Sequence, residues 1–317
     1  MPIGKPAHLG TSLMLEPGIY FDIDEKRYHS DDLCEQPSLS ASLVQVLDES
    51  TPLHAWTQHP RLNPACEPDS NADMDRGSVA HVITLGRGKL IDVIEADSWR
   101  TKDAQTKRDL SRKAGRIPIL AKDKMDAIRM SNAARAQLDA IPDCKHVFQE
   151  GHGAAEVVLV AKDPSTGIYM RSMVDWLAND GDAWDLKTGR SSANPLAAGR
   201  RAADAGWDIK AAFYLRMLRM LDIDCRHFRF IGQENFPPYA LSVVELDAEA
   251  ISIGNRKVER AIHTYAHCLK TGVWPAYPPM VHRIELPSYQ LARAEEREVF
   301  ARMTEEDVKR SVEAQKP

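Results

Sequence analysis

Cysteine is scarce in this sequence: five in 317 residues (Cys34, Cys66, Cys144, Cys225, Cys268), odd in number, scattered, and never in a Cys-x-x-Cys pair. That excludes a disulfide framework, a zinc ribbon and a cysteine-ligated iron–sulfur cluster, and it points to a reducing cytoplasm. No apolar run approaches the roughly 20 residues of a spanning helix, so no membrane association is expected. Met1 to Gly10 lacks the basic-then-apolar pattern of a secretory leader, and no export is expected. Aromatic residues are only 7%, with no run of Tyr or Phe to form a base-stacking platform. Repeats and low-complexity tracts are absent. Excess positive charge is missing too: the formal net charge is -5, so a polyanion would have to dock on a local patch.

What is present is 43% hydrophobic and 27% charged residues, the balance of a globular chain with a full core, in one large domain or two small ones. Gly18 to Ile23 reads as a short strand, and Ser40 as the N-cap of a helix over Ala41 to Leu47. Pro60 to Asp73 reads as a loop, Arg76 to Leu85 as a helix, and Lys122 to Leu138 as a longer one. Ala155 to Ala161, Ile168 to Leu177 and Ala183 to Thr188 read as strands. Pro195 to Leu221 is helical with a break near Gly206. Strands over Cys225 to Ile231 and Tyr239 to Leu246 then flank a Phe236-Pro237-Pro238 loop. Ala248 to Lys270 is a helix ending near Gly272, and the charged tail from Ser288 is another. Strands mixed with helices in this way predict an α/β or α+β sheet domain.

The chemistry concentrates between Met173 and Gly189. Side chains two apart on a strand share a face, so Asp185 and Lys187 point one way and Trp184 and Leu186 the other. On the preceding strand Asp175 shares its face with Arg171 and Met173, while Val174 and Trp176 point to the core. Asp175 lies opposite Asp185 only if the hairpin loop is odd and centred on Asp180. A loop of three or five residues is therefore expected, because a two-residue Asp180-Gly181 turn would split the carboxylates between faces. Two neighbouring carboxylates repel, and a divalent cation with oxygen ligands, Mg²⁺ or Mn²⁺, relieves that repulsion. Such an ion acidifies a bound water and braces a phosphodiester oxygen, and a lysine beside it orients the water or offsets growing charge. Glu156, a carboxylate within an apolar strand, needs a partner. His81, on a helix with apolar flanks, is attractive as a ligand only together with the Asp-Asp-Lys group. The pair Cys225 and His227 reads as ordinary packing.

The ordered set Gly77-Ser78-x-x-His81, Glu156, Asp175, Asp185-x-Lys187 and Lys210-Ala-Ala-Phe-Tyr214 resembles the PD-(D/E)XK nuclease superfamily. Within it the likeness is to the exodeoxyribonuclease VIII type of phage and prophage recombination modules. Pro17 to Asp22, Tyr28-His29, Leu39 to Ser42, Pro52 to Trp56 and Trp274 to Pro278 are similar to that group as well. The resemblance implies an α/β, restriction-endonuclease-like core: a central mixed β-sheet flanked by helices, with helical N-terminal decoration. It divides the chain into an N-terminal segment (1–74), a nuclease core (75–280) and a helical tail (281–317). It implies a Mg²⁺-dependent exonuclease on linear double-stranded DNA, with Mn²⁺ as substitute. His81, Asp175 and Asp185 would be metal ligands, Lys187 the catalytic lysine and Glu156 a supporting acid. Family members form ring-like homo-oligomers threaded by DNA and work beside a single-strand annealing protein. The family pattern often has Gln at the position of Lys210; here a lysine shares a helix face with Tyr214, and both are expected at the DNA.

Two basic islands support a DNA partner. Residues 100–116 hold seven basic against two acidic residues, including Arg108 and Arg112, and 187–219 hold seven against two, including Arg190. Such islands suit a phosphate backbone, with binding indifferent to sequence. The rival readings are an endonuclease or repair nuclease on the same fold, a catalytically degenerate DNA-binding or assembly protein, and an enzyme acting on a small phosphoester.

Overall fold

The computed structural model of the chain describes residues 14–66 and 72–313. Met1 to Gly10, residues 67–71 of the expected Pro60 to Asp73 loop, and the side chain of Arg76 lie outside what is described. By its contacts the chain divides into Met1–Ala276 and Tyr277–Pro317.

The first unit opens with strand β1 (Gly18–Tyr20) and a short helix α1 (Glu25–His29), whose N-cap Asp24 accepts the backbone N–H groups of Lys26 and Arg27. Helix α2 (Ala41–Glu49) starts where expected: the Ser40 hydroxyl accepts the Leu43 N–H. Helix α3 (Pro52–Gln58) uses proline in its first turn. Helix α4 (Ala72–Leu85) begins before the expected Arg76 and runs through the boundary drawn at residue 74. The basic island of residues 100–116 holds α5 (Lys102–Lys113), and it is flanked by two strands not expected from the sequence, β2 (Ile91–Ile94) and β3 (Ile117–Leu120). β2 and β3 pair in parallel as a small separate sheet. Helix α5 is invisible to periodicity because Ala104 and Leu110 are its only apolar residues. Helix α6 (Ala121–Asp139) matches expectation within a residue at each end.

Strands β4 (Gly153–Lys162), β5 (Tyr169–Ala178) and β6 (Ala183–Gly189) follow, then helices α7 (Ala198–Asp204) and α8 (Trp207–Met220), broken at Gly206 with φ of 62°. β7 (Phe228–Glu234) starts three residues later than the expected Cys225, and β8 (Leu241–Glu245) lies within its expected span. Helix α9 (Ala248–Thr271) ends at Gly272, which takes a left-handed φ of 70° and donates to the Cys268 carbonyl. The large sheet has the order β1-β4-β5-β6-β7-β8, with β6–β7 parallel and every other neighbouring pair antiparallel. It is therefore the mixed sheet expected.

Apolar cores cover both faces of that sheet. The largest joins Val157, Leu159, Met170, Val174, Phe228 and Phe230 to α2, α8 and α9 through Val44, Ile209, Phe213, Val258 and Tyr265. On the other face Trp176, Trp184, Leu186 and Ile231 pack against Leu85 of α4 and Leu138 of α6. Gly254 lets α9 press on α8: a Cβ there would collide with the Asp208 carbonyl. The N-terminal elements are pinned by a buried ion pair, Arg171 Nη1 on β5 to Asp31 Oδ1 at 2.8 Å. The second unit contains α10 (Ser288–Glu313), the helix expected in the tail. Among the described residues, no helix is long and apolar enough to cross a membrane.

Candidate active site

The β5–β6 hairpin sets the site. Trp176 pairs with Trp184 and Leu177 with Ala183, and the Ala178 N–H donates to the Asp182 carbonyl at 2.9 Å. The loop is thus Asn179-Asp180-Gly181, the odd loop centred on Asp180. Gly181 takes the positive φ, 95°, that such a turn asks of its last residue. Beyond Trp176 the ladder stops. Asp175 fills the gap with its carboxylate, whose Oδ2 accepts the Leu186 backbone N–H at 2.8 Å.

The other neighbour of Asp175 is irregular too. Glu156 carries φ of 51°, and pairing skips it: Ala155 faces Trp176 and Val157 faces Val174. Strand alternation is reset there. Val174 packs in the larger core while Trp176 and Ala155 pack in the smaller. The expected sharing of one face by Val174 and Trp176 is corrected by this break, which no alternating pattern announces. A non-glycine residue in left-handed conformation inside a strand costs on the order of 1 kcal/mol, and such strain concentrates at functional sites.

Five elements then converge. His81 on α4 places Nε2 at 3.3 Å from Asp175 Oδ2 and Nδ1 at 4.0 Å from Glu156 Oε1. Lys187 Nζ lies 2.8 Å from Asp185 Oδ1, and Lys210 of α8 meets Asp185 Oδ2. Asp185 itself is 1% exposed. Tyr214, expected at the DNA, is buried instead. Its hydroxyl donates to the Met173 carbonyl at 2.9 Å, and its ring lies 5.2 Å from the Lys210 ammonium. It therefore positions β5 and Lys210. Arg190 is exposed, one residue past β6. Arg108 and Arg112 lie on α5, which packs on the small sheet rather than on the elements that build the cluster.

Reading the sequence missed Arg87 and Gly88. The Arg87 guanidinium bridges Glu156 Oε2 at 3.8 Å and Asp22 Oδ1 at 3.1 Å, tying the N-terminal segment to the site. Gly88, with φ of 131°, sits tight against Val82 of α4 beside Glu156: a Cβ there would stand 2.6 Å from Val82 Cγ2 and 3.2 Å from Glu156 Oε1. The only cue was a Gly two residues beyond Gly86, after a helix.

Burial and charge work against each other at each group. Burial disfavours charge on Asp175, but His81 and Lys210, with Lys187, outweigh it and hold the carboxyl well below its ordinary range. The same acids reverse the effect of burial on His81, raising its pKa and favouring imidazolium. Burial pushes the Glu156 carboxyl up, with the His81 charge opposing. Lys187 is pushed down, by burial first and then by Lys210, against the pull of Asp185. Lys210 is held up because Asp185 overcomes its burial.

Three carboxylates and an imidazole are hard oxygen and nitrogen donors, and they fit a divalent cation of the Mg²⁺ or Mn²⁺ kind. Among the described residues no three His, Cys, Asp or Glu side chains stand as a ready ligand set. The ammonium groups of Lys187 and Lys210 hold Asp185, and His81 holds Asp175.

A family model described as a PDDEXK-like domain of unknown function (DUF3799) matches residues 64–284, which is more than half of the chain. The chain belongs to this family. No curated protein matches its sequence. Among solved structures, the protein named "Putative exonuclease" from Eubacterium rectale is similar at a TM-score of 0.55 and 12% identity. The match covers 85% of this chain and 97% of that one. LHK-Exo, solved in complex with dAMP, is similar at a TM-score of 0.23 and 13% identity over 61% of this chain and 91% of that one. The PDDEXK-like family and the mixed sheet flanked by helices together make the fold of this chain that of the PD-(D/E)XK nucleases.

Proposed function

We propose that the chain is a Mg²⁺-dependent exonuclease of the exodeoxyribonuclease VIII type, with Mn²⁺ able to substitute. Its substrate is the end of linear double-stranded DNA, and its setting is phage-type recombination in the cytoplasm, as a ring homo-oligomer beside a single-strand annealing protein. The observation that carries the reading is the convergence of Asp175, Asp185 and Lys187, with His81 and Glu156, at the point where β5 and β6 part. Asp175, Asp185 and His81 would hold the cation, which supplies an acidified water and charge stabilisation at the phosphate.

The remaining work falls to the chain itself. Lys187, its proton loosened by burial and by Lys210, can orient the attacking water or take its proton at Nζ. Glu156, kept beside His81, supports the imidazole that faces Asp175. Asp175 is fixed by the Leu186 N–H, so its second oxygen is directed rather than free to rotate. Arg190, Lys210 and the basic face of α5 with Arg108 and Arg112 would take backbone phosphates, a mode that ignores base sequence.

The test is a linear duplex, end-labelled on each strand in turn, incubated with Mg²⁺ and with EDTA beside a supercoiled circle. Nucleotide release from the linear duplex in Mg²⁺, with the circle spared, is the expected result. Nicking of the circle would replace the exonuclease by an endonuclease on the same site. Mg²⁺-dependent retardation of the duplex without any release would leave a binding protein.

A further inference from the structure

Asp185 is the innermost acid of the cluster, and both of its oxygens face ammonium groups, Lys187 at Oδ1 and Lys210 at Oδ2. The two lysines are not equivalent. Lys187 lies two residues along the same strand as Asp185, with 36% of its side chain exposed. Lys210 is the more buried, at 22% exposed, but it comes from a different element. It reaches across from α8, outside the hairpin that holds Asp175 and Asp185, on a flexible four-carbon stem that can swing away from Asp185 without disturbing that hairpin. A second cation cannot sit at Asp185 Oδ2 while Lys210 does, because like charges at that range repel strongly in a poorly screened site. Once displaced, Lys210 loses a buried partner. The Tyr214 ring at 5.2 Å is too weak a substitute for a carboxylate. An arriving phosphodiester is an anion of the right charge to replace it.

We propose that Lys210 is an internal counter-ion that occupies the Asp185 position of a divalent cation and yields it when a substrate phosphate arrives, so that metal and DNA bind together. The proposal rests on the nuclease reading of this same site and assigns its regulation. Binding linkage is reciprocal: DNA tightens the metal by the same factor that metal tightens DNA. Free protein is then a poor metal binder, and the site is charged for hydrolysis only with substrate in place.

The experiment measures Mn²⁺ binding to the full-length chain, by the electron paramagnetic resonance signal of free ion, with and without a short blunt duplex carrying phosphorothioate linkages that slow cleavage. The parent is expected to bind Mn²⁺ weakly alone and at least about tenfold more tightly with the duplex, a typical size for coupling between sites. Lys210→Met and Lys210→Gln, two neutral replacements chosen so that one misfolded variant does not decide the matter, should bind Mn²⁺ tightly alone and gain little from DNA. Lys210→Arg should keep the coupling. Asp185→Asn should lose the ion in both conditions. If the neutral variants bind Mn²⁺ no better than the parent while Asp185→Asn loses it, the counter-ion role is overturned and the nuclease reading stands. If Asp185→Asn binds Mn²⁺ as the parent does, the cluster is not the metal site and both fall.

Discussion

Asp185 concentrates the chemistry of the site in one side chain, nearly inaccessible and touched by two ammonium groups from different elements. Replacing it by asparagine keeps the shape and removes the charge, so Mg²⁺-dependent release of nucleotides should fall by about 10²-fold or more. Circular dichroism should show the secondary structure retained. Tyr214 makes a different prediction. Tyr214→Phe removes the hydroxyl that donates to the Met173 carbonyl and leaves that acceptor unpaired, at a cost of about 1 kcal/mol by urea unfolding. A phosphate contact at this residue would instead show as weakened DNA binding at unchanged stability. At this scale much was legible. Asp175, Asp185 and Lys187 follow from strand parity and an odd loop, and Glu156 from the anomaly of a carboxylate in an apolar run. Arg87 and Gly88 were not legible, since their partners Asp22 and Glu156 lie far away in sequence and no local pattern joins them.

Among the elements, α8 and α9 meet so closely that Gly254 has no space for a methyl group. Gly254→Ala is expected to push them apart, costing about 1–3 kcal/mol as overpacking does. Because α8 carries Lys210 and Tyr214, activity should fall with the melting temperature; a variant as stable as the parent would contradict this packing. A second element-scale prediction concerns α3, whose C-terminal cap His59 is fully buried beside Asp31, Arg171 and Arg61. Burial first, with Arg171 and Arg61 adding and Asp31 opposing, pushes its imidazole from 6.5 down to about 4. Between those values the unfolded chain binds a proton that the folded chain refuses. Stability contributed by neutral His59 is therefore complete above pH 6.5 and drains away as pH falls towards 4, by up to about 1.4 kcal/mol per pH unit. Urea unfolding across that window should show the slope, and His59→Gln should flatten it. The elements themselves were readable wherever an apolar stripe or a cap marked them, as at Ser40 and Gly272. Helix α5 was hidden by its nearly continuous polarity, and β2 by its brevity. The break at Glu156 was hidden because a reset of alternation leaves the composition of a strand unchanged.

For the whole molecule, every described core cluster lies within the first unit, whose last apolar contributor is Trp274. A chain ended after Ala276 is expected to unfold cooperatively, with a melting temperature within a few degrees of the full chain; loss of cooperativity would show that the tail completes the core. The class of the fold could be read from the order of strands and helices, whereas the placement of α4, β4, β5, β6 and α8 around one carboxylate is a property of the assembled sheet. That convergence is the central claim, and it is tested most directly by following nucleotide release from an end-labelled linear duplex in Mg²⁺ for the parent, Asp175→Asn, Asp185→Asn and Lys187→Met. The geometry predicts that the parent alone degrades the duplex and that each single replacement stops it. Degradation by Asp185→Asn at the parent's rate would contradict it.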